Sequence, residues 1–132
     1  MKNLFLLTLI LSATTFVAQE KEATTPQIAM KISLGETITM HGITMEFVQV
    51  LEDSRCPTDV VCVWAGQAIV SVIFSQTHVT TENNDLIVGK KDKNVIGQDD
   101  GFIYKAVALT PYPTNKNMGK RKYALLVVRE KL

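Results

Sequence analysis

From Ile28 onward the hydrophobic residues recur with a period of two. Ile28, Met30 and Ile32 form one set, Ile38 and Met40 a second across Gly35, and Ile43, Met45 and Phe47 a third across Gly42. Side chains of a strand point alternately to its two faces, so alternation between glycine-marked turns predicts half-buried β-strands. After Phe47 the apolar positions move to Val48 and Val50, from odd to even numbers. A one-residue shift turns every later side chain to the opposite face, so a β-bulge or a crossing between sheets is expected near Phe47 and Val48. Residues 68–74, Ala-Ile-Val-Ser-Val-Ile-Phe, are apolar on nearly both faces and predict a central strand.

Shorter strands are expected at 78–80 and 86–88, with a Gly-, Asp- and Lys-rich loop over 89–101. Two closing strands, Phe102 to Leu109 and Lys122 to Arg129, flank the segment Pro111 to Gly119, which its prolines, asparagines and glycine mark as a loop. Seven or eight short strands with no helical window predict an all-β domain. The expected architecture is a small two-sheet sandwich of immunoglobulin-like type, with a small barrel as the alternative.

The chain ahead of this pattern has a different character. A charged start, Met1-Lys2-Asn3, precedes the apolar run 4–11 and then small and polar residues up to Ala18. That is the layout of a secretory signal peptide, and the run is far short of the ~20 residues that span a membrane. Residues 1–18 are therefore expected to be removed, although Phe16 stands where a small residue is usual, and no cysteine near the cut invites lipidation. Residues 19–26 read as a polar leader and 27–132 as a single domain, periplasmic or secreted, with no transmembrane segment once the signal is gone. Loss of Lys2 takes Lys+Arg from 14 to 13, against 13 Asp+Glu. Such a balance gives no general attraction to nucleic acid or to an anionic membrane.

Export changes how the two cysteines are read. Cys56 and Cys62, with none left over, suggest a disulfide closing a seven-residue loop, worth only about 2 kcal/mol by loop-closure entropy. A zinc site with His41 and His78 and a redox-active dithiol are the alternatives, but the spacing fits neither a metal knuckle nor C-x-x-C. Trp64 would share a strand face with Cys62, and a core position covering the sulfurs is favoured over an exposed aromatic platform. Gly66 suggests a bulge or a close backbone approach. Arg55, between Asp53 and Asp59, is expected to pair with one of them at the surface, which is worth at most ~1 kcal/mol.

The segment Asp53-Ser54-Arg55-Cys56-Pro57 through Cys62, Trp64 and Gly66, joined later by Leu109-Thr110-Pro111-Tyr112-Pro113 and the closing strand from Tyr123, resembles a group of short exported bacterial proteins that have no characterised activity. The resemblance implies export and a small β fold and transfers no function.

No catalytic residue is assigned. The chain has no Gly-x-Ser-x-Gly, phosphate-binding glycine loop or His-Glu-x-x-His, and its histidines, His41 and His78, lie in a turn and an edge segment. A small hydrolase would have to draw its acid and base from Asp53, Asp59, Asp99, Asp100 and a histidine brought together in space. Nor is a cofactor or metal implied; Asp99-Asp100-Gly101 reads as a turn before it reads as a calcium site. Lys116, Lys120, Arg121 and Lys122 form a basic cluster beside Tyr112, Met118 and Tyr123. With Arg55, Trp64 and Tyr112 these four are the candidate binding residues, for an acidic glycan, an anionic surface or an envelope protein, unless the loop is simply solvated. A binding module is thus the leading expectation, ahead of the hydrolase and of a passive envelope accessory protein.

Overall fold

A computed structural model describes residues 27–77 and 79–132; the side chains of Val79 and Thr80 fall outside the description. The expectations for the signal peptide, the leader and His78 lie outside the described residues.

The strands are β1 (Ile28–Ser33), β2 (Thr37–Met40), β3 (Ile43–Asp53), β4 (Ala68–Gln76), β5 (Val79–Ile87), β6 (Val95–Asp99), β7 (Phe102–Thr110) and β8 (Ala124–Lys131). They form two four-stranded antiparallel sheets, ordered β1-β8-β7-β6 and β2-β3-β4-β5, which do not close into a barrel. Inward side chains from both sheets make one core, in which Ile32, Met45, Phe47, Val70, Val72, Tyr104, Leu125 and Val127 are fully buried. Burial of this apolar surface is the main force holding the sheets face to face.

The phase change in β3 takes the form of a bulge. The register against β4 shifts between Phe47 and Gln49 and again between Val50 and Glu52. Ile43, Met45 and Phe47 are buried before the shift, and the half-buried positions after it include Val48 and Val50. The strand over 68–74 is β4, an interior strand of its sheet as expected.

Two expectations need correction. The separate strands at 78–80 and 86–88 are one edge strand, β5, whose polar middle Thr80-Thr81-Glu82-Asn83-Asn84-Asp85 hid it from a hydrophobic reading. Edge strands face solvent and are held by backbone pairing, so polar residues there mark protection rather than a loop. Here Asn83 accepts a hydrogen bond from the Ser71 hydroxyl at 2.7 Å, and Asn84 donates one to the Ile96 carbonyl at 2.9 Å. The loop over 89–101 likewise contains β6. Its Gly97 is a packing residue: a Cβ there would come within 2.5 Å of the Phe74 ring.

Six of the seven joints divide evenly between the two ends of the sandwich, and the seventh, residues 34–36 between β1 and β2, crosses from one sheet to the other with Leu34 N–H donating to the Tyr123 carbonyl. The joints β2–β3, β4–β5 and β6–β7 lie at one end, and β3–β4, β5–β6 and β7–β8 at the other. The former are tight, with His41 and Gly42 both at positive φ in the β2–β3 turn. The latter comprise residues 54–67, 88–94 and 111–123, and every candidate binding residue is on one of them.

Candidate binding surface at the long-loop end

The β3–β4 ladder runs on past the strands: Ser54 donates from its backbone N–H to the Gln67 carbonyl at 2.9 Å, and Cys56 to Ala65 at 3.0 Å. Gly66 makes this approach possible. Its φ is +69°, and a Cβ would lie 1.8 Å from the Ser54 carbonyl oxygen, so the expected close backbone approach is observed. Beyond it the chain turns at Pro57, whose carbonyl accepts from Val60 N–H at 3.4 Å. Cys56 and Cys62 then close the loop as a disulfide, with Cα atoms 5.9 Å apart. With both sulfurs bonded to each other, neither is a thiolate ligand, and His41 belongs to the opposite end of the sandwich. Among the described residues no group of three or more His, Cys, Asp or Glu is placed to hold a metal ion.

The base of the loops is fastened by Asp53, at the end of β3. Arg55 clamps its carboxylate in bidentate fashion, Nε to Oδ1 at 2.7 Å and Nη2 to Oδ2 at 2.8 Å. Oδ2 also accepts from Arg121 Nη1 at 2.7 Å and from the Tyr123 hydroxyl at 2.9 Å. Arg55 continues across the gap, donating to the carbonyls of Leu109 at 2.7 Å and Pro111 at 3.3 Å, with its guanidinium 4.7 Å from the Tyr112 ring centre. Asp53 belongs to one sheet, whereas Leu109, Pro111, Arg121 and Tyr123 belong to or flank strands of the other. The cluster therefore ties the two sheets together at this end.

This corrects the expectation of a weak surface pair at Arg55. The partner is Asp53, one of the two flanking aspartates, but the Asp53 side chain is only 5% exposed and those of Arg55 and Arg121 11% and 13%. Charges at that depth are costly to leave unpaired. Burial pushes the Asp53 carboxyl up, but hydrogen bonds from Arg55 and Tyr123 and the charges of the two arginines outweigh it and hold the carboxyl below its usual range. Burial, with the bond to that carboxylate, pushes the Tyr123 hydroxyl up. Asp59 joins two loops instead of two sheets. Its carboxylate accepts from Asn115 N–H at 3.0 and 3.1 Å, and Thr58 N–H donates to the Pro113 carbonyl at 3.1 Å. These contacts dock the disulfide loop on the 111–123 loop.

Trp64 is where sequence and structure part most clearly. The residues between Cys56 and Ala68 are loop, the indole does not cover the sulfurs, and Trp64 is 82% exposed. Val61 and Val63 beside it are more exposed still, at 102% and 92%. The ring of residues 56–62 is too small to have an interior, which leaves Val61 in solvent, and Val63 and Trp64 lie just outside it, on the loop that returns to β4, rather than on a strand that would turn the indole toward the core. The Val-Val-Cys-Val-Trp run within and beside so small a ring is the signal by which the sequence could have shown it.

The basic cluster is also divided. Arg121 is committed to Asp53, while Lys116, Lys120 and Lys122 are exposed and take no part in the ion pairs found among the described residues. Lys90, Lys91 and Lys93, missed as candidates, join them from the β5–β6 loop, and Lys90 lines a shallow groove of about 440 Å³ with Arg55, Gly66 and Tyr112. The carboxylates required for hydrolysis do not converge: Asp53 and Asp59 lie at this end and Asp99 and Asp100 at the other, in the β6–β7 joint.

Compared with protein-family models, with curated proteins and with solved structures, the chain gives no match.

Proposed function

We propose that the protein is an exported, non-catalytic interaction module that engages its partner through the disulfide loop and the two loops beside it. The observation that carries this reading is the presentation of Val61, Val63 and Trp64 to solvent on a stapled loop. Large apolar side chains grouped in the open at one end of a small domain mark an interaction site. The disulfide limits the conformations the free loop loses on binding, which favours association. Separation of the acidic residues into two distant groups argues against the hydrolase. For export, the support is the signal-like start together with a disulfide, which persists in oxidising compartments.

The test is capture from the envelope fraction of the exporting cell, with the exported chain and its Trp64→Ala variant as paired baits. The expected result is a partner retained by the first and lost by the second. Equal capture by both would remove the loop from the interaction.

A further inference from the structure

The even charge balance of the whole chain conceals a separation in space. Residues 52–67, 88–94 and 111–123 carry eight Lys and Arg against Glu52, Asp53, Asp59 and Asp92, which leaves +4. The rest of the described domain carries four Lys and Arg against seven Asp and Glu, which leaves −3. The positive pole is the end that displays Val61, Val63 and Trp64.

We infer that this pole docks on an anionic phospholipid bilayer, with the disulfide loop entering the interface and lysines of the flanking loops at headgroup level. The inference rests on the interaction-module reading and names its partner. Three observations favour a bilayer over a folded protein or a polysaccharide. First, the apolar side chains are nearly wholly exposed, so they form a convex knob rather than a groove. A fluid interface admits such a knob without a preformed hole, whereas a protein partner needs a matching pocket. Second, the residue types are Trp and Val with exposed Lys beside them, and amphipathic Trp rings settle at membrane–water interfaces while Lys seeks anionic headgroups. Third, Lys90, Lys91 and Lys93 on one loop and Lys116, Lys120 and Lys122 on another are exposed, and no ion pair among the described residues uses them. A polysaccharide would use the charge but leave Val61 and Val63 in water. Among the described residues no helix is long and apolar enough to cross a membrane.

Trp64 is the only tryptophan of the chain, so its fluorescence reports on this loop alone. The exported protein is titrated with vesicles of equal parts phosphatidylglycerol and phosphatidylcholine, and separately with phosphatidylcholine vesicles. The expected result is sedimentation with the anionic vesicles only, accompanied by a blue shift of the Trp64 emission. Each lysine near an anionic surface is worth roughly a fivefold factor in partitioning, so changing Lys116, Lys120 and Lys122 to Gln should weaken binding about 100-fold. Val61→Ser with Val63→Ser should reduce it while leaving the circular dichroism spectrum unchanged. Failure to sediment with anionic vesicles, equal binding to neutral ones, or sedimentation with the Trp64 emission unmoved would each overturn the inference. Failure here with Trp64-dependent capture of an envelope protein retained would overturn the bilayer alone; loss of both would overturn the interaction module as well.

Discussion

The two ends of the sandwich solve the same problem, reversing a chain between antiparallel strands, by different physical means. At the short-joint end the reversals are local. His41 and Gly42, at φ of 48° and 78°, turn the chain between β2 and β3 in two residues, and Gly101, at φ of 84°, lies between β6 and β7. The conformation is fitted by the residue types in the turn itself. At the long-loop end the reversals are held by distant parts of the chain, Asp53 by Arg121 and Tyr123 and Asp59 by Asn115, with the local Cys56–Cys62 bond closing the tip. A loop secured at its base by tertiary contacts can hold apolar side chains in water at its tip, which a two-residue turn has no room to do.

The sharpest way to break this contrast uses a glycine from each end. Gly66→Ala drives a methyl group into the Ser54 backbone and keeps a positive φ, so it should cost about 4 kcal/mol. Gly101→Ala meets nothing within 4 Å and should cost only the backbone term, about 1 kcal/mol. Denaturant unfolding of the two variants gives the comparison, and equal losses would deny that one end is tertiary and the other local.

Next in size is the Asp53 cluster. Asp53→Asn keeps the shape but leaves two largely buried guanidiniums without their anion, a loss of about 3 kcal/mol. Because the folded Asp53 lies below its ordinary value of 3.8, its contribution is fully present above that pH and is lost as pH falls through the folded value. Acid titration of stability should therefore lose part of its slope in Asp53→Asn. Tyr123 has the opposite sign: raised above 10.0, it contributes below that pH and loses its contribution as pH rises through the folded value. Because Arg121 alone of the basic cluster joins Asp53, neutralising Lys116, Lys120 and Lys122 should leave the melting temperature nearly unchanged, while adding Arg121→Gln to the set should lower it. The sequence pattern alone makes all four equally dispensable.

Removal of both cysteines is smaller again, about 2 kcal/mol, since a seven-residue loop costs the unfolded chain little entropy. Thermal unfolding of Cys56→Ala with Cys62→Ala measures it. Trp64→Ala comes last, within ~0.5 kcal/mol, because the indole is in water before and after unfolding. This order is the reverse of the one a core tryptophan would impose, and a loss of about 3 kcal/mol or more at Trp64 would mean that the loop folds back on the domain.

Where alternation was strong, the fold was legible. β1 to β4, β7 and β8 follow their period-two patterns, and the bulge after Phe47 announces itself as a change of phase, because a buried face tolerates no drift in register. The disulfide was equally legible, since two cysteines six residues apart, in a chain that begins like an exported one, have few other fates. β5 was legible only at its two ends, because its middle, Thr80 to Asp85, is polar, and β6 was hidden by the Gly-, Asp- and Lys-rich stretch around it. Their pairing partner is a neighbouring backbone, and Gly97 is there to admit the Phe74 ring rather than to break the chain.

For the binding surface the division is sharper still. The sequence determined which residues were available: a stapled Val-Val-Cys-Val-Trp segment, two lysine-rich stretches, and aspartates beside arginines. Only the tertiary structure decided that the two lysine-rich stretches and the tryptophan share one end of the molecule, and that Arg121 leaves the surface to join Asp53. The reason is that burial and charge placement depend on which loops the strand order brings together. That order is set by the pairing of whole strands, which no local pattern contains.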